Sequence, residues 1–238
     1  MASRSPSLLV RLQRLIECSY DWRTGIEDLG PFLVGDEGYR RLYQGQEIVE
    51  ELPGLSPGPR TLVTSVGHRI RLGIYYPDEM IRRLEERNPL HHIDDENVEP
   101  FSILVEELDH CLMLAWCACH HREVRLVELE FHAYITKYLV LAHFLARHSR
   151  RPHLTSAQRH WVLARLFSGA GEDLPEPFAH RYSTAAKFAL RFIGSLASMP
   201  SAERVRSLRR FGRKPWSLQR CWLESPGGGE VLGLLLAV

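Results

Sequence analysis

Residues 99–119, EPFSILVEELDHCLMLAWCAC, and residues 123–148, EVRLVELEFHAYITKYLVLAHFLARH, decide how this chain folds. Both repeat apolar residues at helical intervals. At about 100° per residue, Phe101, Val105, Leu108, Leu112 and Ala115 gather about 220° round the first helix from Glu106. Glu106 and His110 stack one turn apart on the other side, with Glu107 on the flank. That side also carries Met113 and Cys117, with Ile103 and Leu114 nearby. A helix apolar nearly all round is a buried one. Acids within it need partners, because unpaired buried charge is costly. The second helix has a ridge of Val124, Val127, Phe131, Tyr134, Tyr138, Leu141 and Leu145. Glu128 and Glu130 border it, and His132 lies one turn from Glu128. A short turn near residues 120–122 makes the two helices antiparallel neighbours, so a carboxylate of the second can approach Glu106 and His110. Spacing alone does not choose between Glu128 and Glu130.

Upstream lies the one clear β signal. Residues 61–66 and 69–76 are rich in β-branched residues, and Ile70, Leu72, Ile74 and Tyr76 alternate onto one face. Gly67 and His68 supply a hairpin turn. Residues 7–18 read as a helix, residues 19–35 are broken by glycines and Pro31, and residues 39–51 are helical again. Residues 52–59 hold three prolines and two glycines and form a loop. Pro77 opens a helix with Asp78 and Glu79 in its first turn, where the helix dipole favours acids. It ends near Asn88 and Pro89, and residues 91–99 form a polar, acidic surface loop. Downstream, residues 156–167, 178–197 and 202–211 are helical. Gly227–Gly229 is a flexible joint without the Lys-Ser/Thr of a phosphate loop. Residues 231–238 are apolar and short, and pack as a terminal strand or helical turn.

These readings predict an α+β fold, predominantly α-helical, with a small sheet near residues 60–76 packed on the helix pair. Three segments follow: 1–58, helical; 59–150, the core with the site helix; 151–238, basic, helical and packed on that core.

Composition narrows the function classes. The chain has 238 residues, 45% of them hydrophobic and 25% charged, which is the balance of a folded globular protein. The net charge of +1 conceals an asymmetry: residues 1–138 hold 15 Lys+Arg against 23 Asp+Glu, and residues 139–238 hold 15 against 6. Five cysteines, Cys18, Cys111, Cys117, Cys119 and Cys221, form no framework spacing, so a disulfide-built secreted fold is not expected. Residues 1–15 read as the lead-in to a helix, not as a secretion signal. No apolar run reaches membrane-spanning length. A cytoplasmic protein without a membrane is the expectation. The Gly-x-Ser-x-Gly elbow, the phosphate loop and the dinucleotide fingerprint are all missing from the sequence.

Glu106-Glu107-Leu108-Asp109-His110 resembles the His-Glu-x-x-His helix of zincin metallopeptidases, in which two histidines bind zinc and the intervening glutamate activates water. Glu128-Leu129-Glu130-Phe131-His132-Ala133-Tyr134 is similar to the Glu-x-Glu-Ala-Asn-x-Phe-Ala segment of small bacterial zincins that cleave repressor-type proteins. The resemblance spans roughly residues 60–145, and the hairpin would match the sheet beside the active helix. It implies a metal-dependent hydrolase acting on a protein or peptide. Glu106 stands in place of the first histidine ligand, His110 is a ligand, Glu130 is the third ligand with Glu128 as the alternative, and Glu107 is the general base. The departure at Glu106 leaves one imidazole among carboxylates, a set that suits iron or manganese as well as zinc. It equally suits an interaction or regulatory protein that keeps the scaffold without the metal. Glu107-x-x-His110 also resembles one Glu-x-x-His unit of di-iron bundles, but Glu128-x-x-x-His132 is one residue too long for the second.

A plainer reading pairs Glu106, Glu107 and His110 with arginines of the basic half. Arg206, Arg209, Arg210 and Arg213, just ahead of Trp216, carry an expectation of nucleic-acid contact. Docking of that helix to the acidic half is the competing use.

Overall fold

The computed structural model of the chain describes residues 7–43, 58–66, 69–171, 174–176, 178–197 and 199–225. In chain order its elements are α1 (Leu8–Tyr20), a 3-10 turn (Gly30–Phe32), β1 (Leu33–Val34), α2 (Asp36–Tyr43), β2 (Arg60–Val66) and β3 (Arg69–Tyr75). They continue with α3 (Asp78–Glu86), α4 (Val98–Cys119), α5 (Leu126–His148), α6 (Ser156–Phe167), α7 (Phe178–Ala197), α8 (Ser201–Gly212) and α9 (Trp216–Glu224). The fold is a predominantly helical α+β fold with a small sheet, as the patterning predicts. The expectations for the loop at 52–57, the turn at Gly67 and His68, the glycine joint and the apolar stretch 231–238 fall outside the described residues.

α4 and α5 are the centre. Both are buried over most of their surface, α4 from Val98 to Cys117 and α5 from Glu128 to Leu145. Pairings from Glu106 to Lys137 and from Asp109 to His132 fix them as antiparallel. α4 ends where His121 enters the left-handed region at φ 51° and the Arg122 N–H donates to the Cys117 carbonyl at 2.9 Å. The six residues 120–125 then reverse the chain.

The approach to α4 is more ordered than a solvated acidic loop. Asn97 is fully buried. Its Nδ2 donates to the carbonyls of Arg87 (2.9 Å) and His92 (3.0 Å), and its Oδ1 accepts from the Asp94 N–H. Asp95 accepts from Trp161 at 3.0 Å and pairs with Arg165, so this segment docks α6.

The sheet order is β1-β3-β2, with β2 antiparallel and β1 parallel to β3. The hairpin matches the sequence pattern; the two-residue β1 does not appear in it, because so short a strand carries no period. Thr61 pairs with Ile74 across the hairpin, on the face toward α4. The alternating face is buried only toward its end: Ile74 and Tyr76 are fully enclosed while Ile70 is exposed. On the opposite face, Leu62 and Tyr75 join Tyr39 of α2 in a second small cluster.

The three sequence segments share one core. It joins Leu12 and Ile16 of α1 to Leu108 and Leu112 of α4, Leu141 of α5, Val162 of α6, Phe192 of α7 and Trp222 of α9. α7 packs on α5, and α1 lies across α4, α5 and α8. α9 is an element the periodicity reading overlooked, although Trp216, Gln219, Trp222 and Leu223 are its buried face. Among the described residues no helix is long and apolar enough to cross a membrane.

Candidate metal centre

The antiparallel pairing aligns one polar side of α4 with one polar side of α5. Glu106, His110 and Glu130 each offer a ligand atom, and these atoms all lie within 4.8 Å of one another. Of the sequence-derived candidates, these three are brought together. His110 Nε2 faces Glu130 Oε2 at 3.7 Å. Both atoms are buried, and neither has a hydrogen-bond partner among the described residues. Buried polar atoms are nearly always paired, so two orphans facing each other need a reason.

Glu107 lies on the other edge of the imidazole. Its Oε2 is 3.8 Å from His110 Nδ1 and accepts a hydrogen bond from the Thr61 hydroxyl at 2.7 Å. The sheet thus anchors Glu107, and Glu107 in turn faces the ring nitrogen turned away from the cluster.

Two cations that sequence reasoning missed complete the surroundings. Lys137, two turns along α5 from Glu130, donates to Glu106 Oε2 and lies 4.3 Å from the centroid of the Tyr134 ring. Arg181 of α7 brings its Nε to 3.3 Å from Glu130 Oε1, a contact without hydrogen-bond alignment, since that Nε counts as unpartnered. Lys137 had a signal: it is one of three lysines and sits inside an apolar ridge. Arg181 had none, because its approach depends on how α7 crosses α5.

Electrostatics follow from this crowding. Burial pulls the His110 pKa down, but the carboxylates of Glu107, Glu130 and Glu106 outweigh it and push it up to about 9. Burial lifts Glu130 to about 7 against the pull of His110. Burial also works to raise Glu106, yet Lys137 and His110 prevail and hold it below the usual carboxylate range.

Glu128 lies elsewhere. Two residues from Glu130, it points to another side of α5, where it is 1% exposed and pairs with Arg122. Arg122 also donates to the Lys214 carbonyl at 3.1 Å, which ties the α4–α5 turn to the start of α9. Burial raises the Glu128 carboxyl above its ordinary range, and Arg122 opposes it.

A second polar layer lies behind the site helix. Tyr20 donates to Thr136 at 2.8 Å, and Thr136 donates to Asp109 Oδ1 at 2.7 Å. His132 Nδ1 lies 2.8 Å from Asp109 Oδ2. Trp22 stacks on the His132 ring with centroids 4.8 Å apart. His132 is therefore held by Asp109, away from the Glu106 cluster, which removes the second Glu-His unit that a di-iron bundle would need.

The basic stretch of α8 is largely engaged. Arg209 donates to the carbonyls of Cys18 (2.6 Å) and Ser19 (3.3 Å) at the C-terminal end of α1, and Arg213 pairs with Asp21 at 2.5 Å. Two of the four arginines expected at a nucleic-acid surface thus dock α8 on α1, where a helix C-terminus favours cations. Arg206 stays exposed. No protein family matches this chain, and neither curated proteins nor solved structures give a match.

Proposed function

We propose that this chain is a metal-dependent hydrolase of zincin-like layout, in which Glu106, His110 and Glu130 hold one divalent ion. One observation carries the reading: the buried, partnerless His110 Nε2 and Glu130 Oε2 face each other at 3.7 Å with Glu106 in reach. Two ligand atoms about 2.1 Å from a shared ion stand about 3.4 Å apart at a tetrahedral angle. The observed gap is too long for a hydrogen bond and close to that separation. The 4.8 Å limit of the group exceeds the ~4.2 Å that one ion can span by a fraction of an ångström, within the reach of a glutamate rotation.

A divalent ion in this place would supply an activated water and a Lewis acid for a carbonyl. The protein's own part is positioning. Glu107, fixed by Thr61, faces His110 Nδ1 at 3.8 Å, where a carboxylate favours the tautomer that leaves the Nε2 lone pair aimed at the cluster, as supporting carboxylates do around metal-bound histidines. This favours an orienting role for Glu107 over the general-base role that the resemblance implies. Lys137 and Arg181 offset the surplus negative charge of three carboxylates around one ion.

A second reading rests on those same two cations. With His110 protonated, Lys137, Arg181 and His110 balance Glu106, Glu107 and Glu130 in charge, so the cluster closes as a buried ion network on a non-catalytic scaffold. The experiment is calorimetric titration of chelator-treated protein with Zn2+ and Mn2+, followed by a peptide-hydrolysis assay of the loaded protein. The hydrolase reading predicts one saturable site, lost in His110→Ala, and peptide cleavage abolished by the same substitution. Metal binding without cleavage would leave a metal-binding scaffold, and no saturable binding would leave the ion network.

A further inference from the structure

A groove of about 790 Å³ opens between α5, α7, α8 and the segment leading into α6. Its floor is aliphatic: Leu139 and Ala142 of α5, Ile193 and Leu196 of α7, Leu208 of α8. Its charged lining has a single sign. Arg147, Arg151, Arg159 and Arg204 stand around it, and no aspartate or glutamate lines it among the described residues.

The distribution of arginines sharpens this. Elsewhere in the C-terminal part most are engaged: Arg165 with Asp95, Arg181 with Glu130, Arg213 with Asp21, Arg220 with Glu224, and Arg191 with the carbonyls of Leu223 and Ser225, while Arg206 is exposed away from the groove. Arg147, Arg151 and Arg159 pair with no carboxylate among the described residues. Arg204 is fixed at the rim through its Nε, which donates to the Met199 carbonyl at 2.7 Å. Unpaired guanidinium groups therefore collect where an apolar trough opens. The aliphatic stretch of the lining takes an aliphatic chain, Tyr138, His143 and His153 add polar edges, and the guanidinium forks take a carboxylate or phosphate in bidentate geometry. The volume is that of a small-molecule site, and helices bound it on three sides, which favours a compact ligand over a partner helix.

We infer that this groove binds a single amphipathic anion, an aliphatic chain with a carboxylate or phosphate head held by Arg147 and Arg151. The site is separate from the Glu106 cluster and stands whether or not that cluster holds a metal.

The test is calorimetric titration of the full chain with dodecanoate, dodecyl phosphate and dodecanol, each below its micelle concentration. One anion per chain should bind, with dodecanol weaker by about tenfold or more because it lacks the charged hydrogen bonds. The tighter of the two anions names the head group. Arg147→Gln combined with Arg151→Gln should remove most of the anion's advantage, while the exposed control Arg206→Gln should leave it intact. Ala142→Trp should block both anion and alcohol by filling the floor. The arginine changes lie on the surface, so circular dichroism can verify their fold even if Ala142→Trp fails to fold. No saturable binding, equal affinity for alcohol and anions, or an unchanged affinity in the double arginine variant would overturn the inference.

Discussion

At the scale of single residues, Lys137 separates the two readings of the Glu106 cluster. Its ammonium is nearly buried against the Glu106 carboxylate. Lys137→Met leaves that charge without its partner and should cost about 3–5 kcal/mol in denaturant unfolding of chelator-treated protein. If the cluster binds metal, Zn2+ or Mn2+ should restore much of that loss; if it is only an ion network, neither should. His110 and Glu130 set the cluster's share of the pH dependence of the chelated protein. His110 titrates near 9 when folded, against ~6.5 when unfolded. Its contribution is therefore complete below about 6.5 and lost as pH rises through 9. Glu130 is raised to about 7, so between its unfolded value and 7 the folded state also holds the extra proton. Both signs agree, so the cluster's contribution should fall from pH 5 to 9, opposed below about 6.5 by His143 and His148, whose burial lowers their pKa; in urea titrations His110→Gln should flatten the upper part of that slope. Helical spacing alone reveals that Glu106 and His110 stack, and that a carboxylate of the next helix can reach them. It does not reveal which one. Glu128 and Glu130 are two residues apart and so face different neighbours, and only the crossing of α4 and α5 selects Glu130. Arg181 lies about fifty residues further along the chain, beyond any local pattern.

At the scale of elements, the signals that survive are those with length and end chemistry. α6 begins with a capping box: the Thr155 side chain accepts from the Gln158 N–H, and Gln158 accepts from the Thr155 N–H. Thr155→Ala should cost about 1 kcal/mol, read by thermal unfolding, with the Asp95 contacts to Trp161 and Arg165 loosened in parallel. β1 shows the limit from the other side. A two-residue strand has no periodicity, and it exists because β3 offers it a free edge. α9 falls between these cases. Its buried positions Trp216, Gln219, Trp222 and Leu223 follow a helical interval, but its nine residues beyond Pro215 are too few to stand out from the basic stretch before them. Packing, not propensity, holds such a helix. Trp222→Ala, which empties a site among Phe192 and Phe211, should cost about 3–5 kcal/mol.

At the scale of the whole molecule, the charge asymmetry of the sequence becomes an assembly principle. The acidic first part and the basic last part meet through Arg165 and Asp95, Arg213 and Asp21, and Arg181 and Glu130. The first two pairs are exposed and contribute little each; the apolar core from α1 to α9 supplies the cohesion. Chemical denaturation should accordingly show one transition reported alike by Trp22 near the start and Trp222 near the end. The two long helices serve as the frame on which this core and the site are both built, and the site's claim to a metal is the point on which the functional account turns. Elemental analysis of the purified chain, set against its His110→Ala and Glu130→Gln variants, tests it most directly. The account predicts about one equivalent of a divalent transition metal in the native chain and little in either variant. A native chain without metal after growth in metal-supplemented medium, or variants that retain it in full, would contradict the account.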